Sequence, residues 1–459
     1  MVRVIKQETY DEVVKENIEE FSMSPSEAIE DAVKQFEAQG IDLTNIIKDL
    51  ALGDNTDLTV SCIEKIRSSV KSKNYEGLTR VLDNLRNELD RDIARRVYAG
   101  KQGAYQALVD LMHVCQDDTS LMISSLRTVT SLMTGNPDLL DESGVNLQME
   151  ILDREQDVPL LQWLLRWIRE CCLRHELNRQ DIFNAGILGK IKRILTRDNV
   201  TGPELRDACA VIRCLVLDDD LRHEFGKAHE HATHIARESL DVITGLLSKF
   251  KDDKAVVGDL MLTLAALIVR NEFCQNVHDA GGLQFILEVM IDHPDSEKLN
   301  WQSLKLLKAL AGNDNVKSHI VTCGSAPLIV SAISRFKGSE SVVAAGFACI
   351  SALTLKSPSN AGVFYDCGAS AVIVDAMKQY PKSVNVLKQA SWAIRNMSVR
   401  NRMESREFVA HGVESLLTDG LKAHGPELEA DLKAALRDLG LKVDLKEQWS
   451  GKGVTMRND

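Results

Sequence analysis

Hydrophobic positions along the chain follow helical spacing. In one stretch, Ala104, Ala107, Leu108, Leu111 and Met112 stand three or four residues apart, which places them on one face of an α-helix. A single unit cannot cover such an apolar face by itself, so we expect it to pack against its neighbours. The pattern therefore predicts an all-α chain whose core forms between successive units.

A glycine marks each period of this pattern. A polar residue, usually asparagine, precedes the glycine by eight to eleven residues, and an apolar helix follows it. Glycine suits this place because it adopts the left-handed conformation that permits a sharp turn between helices. The spacings are 41, 42, 96, 42, 44 and 44 residues, and the longest spans two periods plus about ten residues. The glycines are Gly103, Gly144, Gly186, Gly282, Gly324, Gly368 and Gly412.

The length of the period indicates the class of repeat. Units of about 40–47 residues with several helices are typical of armadillo and HEAT repeats, whereas other common helical repeats are shorter. We therefore predict about eight three-helix repeats over residues 92–425. Residues 227–238 fall between a stretch that resembles a repeat start, 205–226, and a later apolar helix. We interpret residues 227–238 as a histidine-rich insertion.

The two ends depart from the repeat pattern, as terminal units of repeat proteins do. Ser24, a following proline and Glu27 form a capping-box sequence that predicts a helix ending at Gly40. Pro426 opens a last helix that ends at Gly440. The predicted regions are an acidic helical hairpin (1–58) tethered through residues 53–59, an N-terminal helical cap (59–91), the repeats (92–425), and a C-terminal capping helix with a polar tail (426–459).

Composition and charge exclude several classes of protein. Aromatic residues make up 5% of the 459 residues and there are 9 prolines, which favours helices over an all-β fold. The longest apolar stretch, residues 260–269, has half of the roughly 20 residues that a spanning helix needs, and no signal peptide is recognised. Residues 1–60 carry −9 of the net charge of −12, and no part has the basic surplus typical of nucleic-acid binding. We expect neither a membrane nor a nucleic acid as partner.

The 10 cysteines indicate a reducing compartment. None belongs to a CxxC pair, and they lie in apolar helical patterns, where a thiol behaves as a small hydrophobic group. We expect free thiols, no metal and no cofactor, in a protein of the cytoplasm with the nucleus as second compartment. P-loop, GxGxxG, HExxH and GxSxG motifs are absent from the sequence, so we predict that the chain is not an enzyme.

Specific segments carry a family resemblance. NRQDIFNAGILGKI (178–191) and QASWAIRNMSV (389–399) resemble armadillo repeats. Nearly the whole chain, including DDDLRHEFGKAHEHA (218–232) and the N-terminal hairpin, is similar to the family of armadillo repeat-containing protein 6. The resemblance implies an all-α armadillo-repeat α-solenoid, a right-handed superhelix with an N-terminal helical hairpin, and no assigned catalysis.

The resemblance also implies where partners bind. In armadillo proteins the last helix of each repeat lines a concave groove, where a Trp and an Asn four residues later hold an extended peptide. Trp392 and Asn396 match this pair, although a packed Trp and an Asn that serves a loop is the alternative. The clamping ladder of nuclear import adaptors is mostly missing, and an acidic N-terminal segment replaces their basic tail. The equivalent places elsewhere, assigned by eye, hold Ala210 with Cys214 and Ile168 with Cys172.

Cationic side chains are what these last helices share. If several face inward, they make the groove locally basic and suited to an acidic or phosphorylated segment, since guanidinium groups pair with carboxylates and phosphates. A solvated face with neighbouring acids is the alternative. The cations are Arg127, Arg166, Arg169, Arg213, Lys305, Lys308 and Arg395. The predicted partner-binding residues are Trp392, Arg395, Asn396, Arg213, Arg169 and Lys308.

Four histidines cluster in and beside the presumed insertion, at His223, His229, His231 and His234. A metal site is one hypothesis, but no matching carboxylate or cysteine pattern accompanies the histidines. Modification is another, because His229 and His231 resemble an alternating-histidine methylation motif, although Glu230 replaces the small middle residue that this motif favours. The third interpretation is an ordinary exposed polar loop.

The sequence thus predicts a non-enzymatic, monomeric scaffold that presents an armadillo groove to a protein or peptide partner. One alternative is a regulatory or carrier subunit of an enzyme complex in ubiquitin, chaperone or transport machinery, where the repeats contribute positioning only. Another is a metal-binding protein that uses the histidine-rich insertion.

Overall fold

The computed structural model describes residues 3–44, 46–48, 55–154 and 157–443. The chain divides into two compact units, Met1–Ile235 and Ala236–Asp459. Apart from two short strands, β1 (Arg3–Val4) and β2 (Ile41–Asp42), the regular elements of the described residues are helices. The predicted helical repeat architecture is therefore confirmed.

The first unit contains the N-terminal hairpin and the earlier repeats. Its helices are α1 (Gln7–Glu19), α2 (Pro25–Ala38), α3 (Asn55–Ser72), α4 (Leu78–Leu89), α5 (Ile93–Lys101), α6 (Ala104–Val114), α7 (Thr119–Met133), a 3-10 turn (Pro137–Leu139), α8 (Glu142–Arg154), α9 (Val158–Cys172), α10 (Glu176–Asn184), α11 (Ile187–Leu195) and α12 (Gly202–Leu215). The boundary between the units falls inside α13 (Ala228–Lys249).

The second unit contains the later repeats. Its helices are α14 (Lys254–Leu267), α15 (Asn271–Asp279), α16 (Gly282–Asp292), α17 (Glu297–Leu310), α18 (Asp314–Thr322), α19 (Ser325–Arg335), α20 (Glu340–Thr354), α21 (Pro358–Asp366), α22 (Ala369–Gln379), α23 (Val384–Ser398), α24 (Arg406–Ala410) and α25 (Val413–Asp438). By length and composition, no single described helix could cross a membrane, and one bent pair, α18 with α19, passes that test only as a pair.

The last helix of each repeat, which we call the third helix, packs against the third helix of the next repeat. In the first unit α4, α7, α9 and α12 contact one another in that order, and in the second unit α14, α17, α20, α23 and α25 do so. Each third helix buries an apolar stripe at helical spacing, such as Leu161, Leu164, Leu165 and Ile168 in α9. These stripes form the continuous core of each unit.

Left-handed glycines precede the second helices, as the sequence predicts. Their φ angles lie between +74° and +88° at Gly103, Gly186, Gly281, Gly324, Gly368 and Gly412. For two glycines the predicted role at the turn is wrong. The cap of α16 is Gly281, so Gly282 is the first helical residue. Gly144 lies inside α8, where a Cβ atom would come within 2.0 Å of the Tyr105 hydroxyl, so close packing rather than a turn explains this glycine.

The N-terminal hairpin has a core of its own. The capping box at Ser24 is present, with the Ser24 N–H donating to the Glu27 carboxylate at 3.0 Å. Tyr10 and Val14 of α1 pack with Phe36 and two alanines of α2. β1 pairs with β2 in parallel. Residues 53–54 of the predicted tether and residues 444–459 of the predicted tail lie outside the described residues.

The presumed insertion is helical. Residues 228–238 form the first half of α13, which is 22 residues long, so the interpretation as an exposed loop is wrong. The extra residues lengthen a second helix, and the irregular segment 216–227 takes the place of the first helix of that repeat. Residues 205–215 belong to the preceding third helix, α12, rather than to a repeat start.

Charged side chains hold the segment 216–227 against α10. The buried Asp220 carboxylate accepts hydrogen bonds from Arg222 Nε at 2.8 Å and from the Glu176 N–H at 2.9 Å. The Glu176 carboxylate accepts from the Lys227 N–H at 2.7 Å, and Arg179, itself 1% exposed, pairs with Glu176 and Asp219. A backbone without regular hydrogen bonds is thus fixed by a network of charged side chains.

At the C-terminal end, α25 consists of two helical parts joined at His424, whose φ of −128° and ψ of 28° are not helical. Gly440, with a φ of +76°, follows the end of α25, as the sequence predicts. The second part of α25 occupies the place of a third helix beside α23.

We predict that Gly346→Ala destabilises the second unit by about 1–3 kcal/mol, because overpacking a close helix contact has this cost. A Cβ atom at Gly346 in α20 would lie 2.3 Å from Ile333 Cγ1 and 2.6 Å from Ile333 Cδ1. Gly362→Ala in α21 is the matched control, because no atom lies within 4 Å of its added Cβ. The control should raise the free energy of unfolding by about 0.5–1 kcal/mol, because alanine favours a helix more than glycine does. Urea denaturation followed by circular dichroism measures both, and equal midpoints would contradict the steric explanation.

A second prediction concerns acid. The hydrogen bond from Arg222 lowers the pKa of Asp220 well below its usual value. Because the folded state has the lower pKa, this contribution is present above about pH 4 and is lost as the pH falls further. Asp220→Asn should therefore lower the free energy of unfolding at pH 7 by about 1–3 kcal/mol, the scale for hydrogen bonds to a charged group.

The same variant should show a shallower loss of stability between about pH 5 and pH 3 than the wild type. Asp117→Asn, an exposed position in the same unit, should reproduce the wild-type slope. Urea midpoints measured across this pH range are the readout, and parallel curves for the wild type and Asp220→Asn would contradict the assignment.

Candidate functional site

The N-caps set the register of the third helices and thus show which side chains share a row. Seven of these helices open on Asp, Ser or Thr, at Asp118, Asp157, Thr201, Asp253, Ser296, Ser339 and Ser383. Trp392 stands nine residues after its cap. The same position holds Arg127, Arg166, Ala210, Leu262, Lys305 and Ala348.

This register corrects one sequence prediction. Ile168 and Cys172 are fully buried core residues of α9 and are not equivalent to Trp392 and Asn396. The equivalent residues in α9 are Arg166 and Glu170, two positions earlier in each case. Apolar residues surround both pairs in the sequence, so spacing alone did not fix the face. Ala210 and Cys214 are at the predicted places in α12.

The predicted cations fall into two rows. Arg127, Arg166 and Lys305 share the position of Trp392. Three residues further along each helix, Arg169, Arg213, Lys308 and Arg395 share a second position. The cationic side chains of both rows are at least partly exposed. The third helices of each unit therefore present aligned cations on one surface.

In the first unit, nearby acids neutralise much of this charge. The Arg166 guanidinium lies 3.3 Å from both carboxylate oxygens of Asp207, and Arg169 Nη2 donates to the buried Glu170 at 2.6 Å. Burial raises the pKa of Asp207. Arg127 and Arg166 also lie 5.3 and 4.7 Å from the centre of the Trp163 ring. Two arginines, of which Arg166 pairs with Asp207, thus lie against one aromatic residue on this face.

In the second unit, α23 carries the predicted Trp and Asn. Trp392 is 36% exposed, and its Nε1 donates to Asp431 of α25 at 2.7 Å. The Nδ2 group of Asn396 donates to the carbonyl and hydroxyl oxygens of Ser351 in α20, both at 2.9 Å. Arg395 pairs with Asp438 at 3.4 Å. The amide donors of Asn396 therefore join two helices within the protein.

The helix α17, which packs against the opposite side of α20 from α23, supplies a second Trp. Lys305 Nζ lies 4.3 Å from the Trp301 ring centre, and Lys388 Nζ in α23 lies 5.4 Å from the Trp392 ring centre. Within the described ranges, Lys305, Lys308 and Lys388 lie within 4 Å of no carboxylate oxygen. Burial and the nearby Lys308 lower the pKa of Lys305.

Between these two helices, α20 presents only small side chains at the corresponding positions. Ala345 and Ala352 are partly exposed there, and Ala348 between them is buried at 9% exposure. Because α17, α20 and α23 pack side by side, the alanines form a floor between two rows of larger residues. We call this surface the cationic trough, and it consists of Trp301, Lys305, Lys308, Ala345, Ala348, Ala352, Lys388 and Trp392.

Two aromatic or cationic residues of the trough, Trp301 and Lys388, and Trp163 of the first unit were not selected from the sequence. Trp301, Trp163 and Lys388 lie five or six residues after a cap, one turn before the row of Trp392. Aligning the third helices on their Asp, Ser or Thr caps would have found them. Ring contacts across helices, such as Arg127 of α7 over Trp163 of α9, leave no such signal in the sequence.

The histidines do not converge on a site. His231 is 3% exposed, and its Nδ1 lies 3.0 Å from the Leu215 carbonyl oxygen while its ring stacks on Phe183 at 4.0 Å. Burial lowers its pKa. His229 and His234 are exposed on α13. A modifying enzyme could reach His229 directly, whereas reaching His231 would require the start of α13 to open.

Among the described residues, no group of three or more His, Cys, Asp or Glu side chains is placed to hold a metal ion. Burial raises the pKa of most of the thiols, to about 12 at Cys115 and Cys349, which disfavours the reactive thiolate.

Comparison with known proteins identifies the family. The ARMC6 family model matches residues 59–456, and the model of the armadillo repeat-containing protein 6 N-terminal domain matches residues 2–75. The armadillo repeat-containing protein 6 homolog of Drosophila melanogaster is 49% identical over 463 residues, which cover 98% of each chain. The Homo sapiens armadillo repeat-containing protein 6 is 35% identical over 377 residues, which cover 78% of this chain and 75% of the human one.

Among solved structures, the crystal structure of an engineered protein aligns with a TM-score of 0.54 at 15% identity, covering 83% of this chain and 99% of that one. This likeness concerns the fold alone. The match of the ARMC6 model to most of the chain and the near full-length Drosophila relative agree with the repeats and hairpin described above. The chain belongs to the armadillo repeat-containing protein 6 family.

Proposed function

We propose that this chain is a non-enzymatic scaffold that binds an acidic segment of a partner protein in the cationic trough. The observation that supports the proposal is a set of lysines without acidic partners beside two partly exposed tryptophan rings. Lys305, Lys308 and Lys388 have no carboxylate partner within 4 Å in the described residues, and two of them lie against Trp301 and Trp392.

The shape of the trough supports binding of an extended chain. Tryptophans in partly exposed positions contribute much of the energy at protein interfaces, since they bury large apolar areas. The alanine floor on α20 leaves room between them for a peptide backbone. The side chains that would contact it are fixed on packed helices, which lowers the entropic cost of binding.

The charges favour carboxylates over phosphate groups as the partner's anions. Bidentate recognition of phosphate uses the planar guanidinium group, and Arg395 of this face is already paired with Asp438. The free cations are lysines, which act as point charges without a required geometry. A segment rich in Glu or Asp with an occasional apolar residue therefore fits better than a phosphopeptide.

The first unit is the weaker candidate for the same reason. Its arginines at Arg166 and Arg169 already pair with Asp207 and Glu170. An incoming carboxylate would have to displace these two partners, which are both largely buried. The proposal thus rests on the lysines of the second unit, and Arg169 and Arg213 contribute only to the background potential.

Reversing the charge of the trough should abolish binding. The probe is a fluorescein-labelled, Glu-rich octapeptide with one Phe, measured by fluorescence anisotropy at low and high salt. Lys305→Glu with Lys308→Glu should weaken its affinity at least tenfold, or about 1.4 kcal/mol, and should reduce the salt dependence. Lys337→Glu with Lys382→Glu, two exposed lysines outside the trough, is the matched control and should bind as the wild type does.

A Lys-rich octapeptide and a phosphoserine-containing octapeptide complete the measurement. The proposal is wrong if the Lys-rich peptide binds as tightly as the Glu-rich one, or if both double variants lose affinity equally. Tighter binding of the phosphopeptide would overturn the preference for carboxylates.

The roles of Asn396 and Trp301 should separate. Asn396→Ala should reduce the free energy of unfolding by about 1 kcal/mol, because it removes hydrogen bonds to Ser351, and should change affinity for the Glu-rich peptide less than twofold. Trp301→Ala should lower that affinity several-fold with a smaller effect on stability. Urea denaturation and anisotropy on the same samples provide both numbers, and a loss of affinity in Asn396→Ala beyond that in Trp301→Ala would contradict this assignment.

A further inference from the structure

Two histidines from successive repeats meet at the ends of α15 and α18. His278 Nε2 lies 2.5 Å from His319 Nδ1, and the ring centres are 4.8 Å apart with the ring planes at 62°. Each histidine lies in the last turn of the first helix of its repeat. His278 is partly exposed and His319 is exposed, so ions in solution can reach both nitrogens.

The carboxylate of Asp279 fixes the orientation of His278. Asp279 Oδ1 lies 3.1 Å from His278 Nδ1 and also accepts from Gln275 Nε2 at 2.7 Å. An ionised carboxylate only accepts hydrogen bonds, so His278 Nδ1 carries the proton. In the neutral ring, the lone pair of His278 Nε2 therefore points towards His319.

We propose that His278 and His319 bind one divalent late transition-metal ion, such as Zn²⁺, between two successive repeats. A carboxylate behind a ligating histidine is the usual second-shell arrangement of such ions, because it selects the tautomer and makes the ring more basic. Imidazole nitrogen is a preferred ligand of this class of metal. No third ligating side chain joins the pair in the described residues, so water completes the coordination.

The geometry requires only a small adjustment. Zn–N bonds of about 2.0–2.1 Å at a tetrahedral angle separate the two nitrogens by about 3.3 Å. The pair must therefore open by about 0.8 Å from its present separation. Small side-chain rotations of two partly exposed rings at helix ends accomplish this. The ion would replace the proton that the two nitrogens otherwise share, and in the neutral pair this proton moves to Nε2 of His319. At low pH, where a ring carries an extra proton, binding must also release that proton and therefore weakens.

Zinc titration of the full chain under reducing conditions at pH 7.5 tests the proposal, with isothermal calorimetry as the readout. We expect one Zn²⁺ per chain to bind in the wild type and this binding to be lost in His278→Gln and in His319→Gln. Asp279→Asn should keep both ligands but weaken the affinity about 10–100-fold. His411→Gln, an exposed histidine just after α24, is the matched control and should bind as the wild type does.

Thermal unfolding provides a second readout that does not depend on heats of binding. Because the ion binds the folded state, Zn²⁺ should raise the melting temperature of the wild type and of His411→Gln, but not of either ligand variant. The proposal is overturned if wild-type chain binds no Zn²⁺, or if His278→Gln and His319→Gln bind as the wild type does. Circular dichroism of the variants without metal confirms that both are folded.

Discussion

Packing between successive third helices is the interaction on which the rest of this structure depends. Within each unit, these helices bury their apolar stripes against the neighbouring third helices, so no repeat completes its core alone. A glycine also lets a third helix pack closely on the second helix of its own repeat, as at Gly346 of α20 against Ile333 of α19. Elsewhere, side chains of the next helix cap the carbonyls of a third helix, as when Asn360 Nδ2 donates to the Leu353 carbonyl at 2.8 Å.

The same packing determines the surface. Helices that stack in a constant register from their N-caps must present equivalent positions in rows. A residue type that recurs at one position therefore becomes a feature of the whole face, which is how scattered lysines and arginines become aligned cations. Whether such a row can bind a partner depends on whether nearby acids already pair with its cations. Asp207 and Glu170 form ion pairs with arginines of the first unit, whereas Lys305 and Lys308 have no comparable partners in the described residues.

Sequence reasoning predicted what depends on local chemistry. Glycines that need a positive φ, capping boxes and helical spacing follow from one to three neighbouring residues, and so the repeats, Ser24 and Gly440 are where the sequence placed them. It failed where two faces of a helix are similarly apolar, and where extra residues could either form a loop or lengthen a helix. The assignment of Ile168 and Cys172 as equivalents of Trp392 and Asn396 was wrong by two positions, because α9 is apolar on much of its circumference. Residues 227–238 extend a helix instead of forming a loop, because continuing a helix keeps the backbone hydrogen bonds satisfied.

The candidate site was harder to predict than the fold, because its properties are relations between helices. Trp392, Arg395 and Asn396 are adjacent in sequence, yet they face different partners: Trp392 and Arg395 bond to acids of α25, and Asn396 bonds to Ser351 of α20. A Trp–Asn pair that resembles a peptide clamp is thus partly a structural device in this chain. The side chains that remain free to contact a partner are those whose neighbours on the adjacent helix are small or uncharged. These neighbours can be identified only from the packing of the helices, not from the sequence. The proposed binding by Lys305, Lys308 and Trp301 depends on the alanines of α20 as much as on the chemistry of these three side chains.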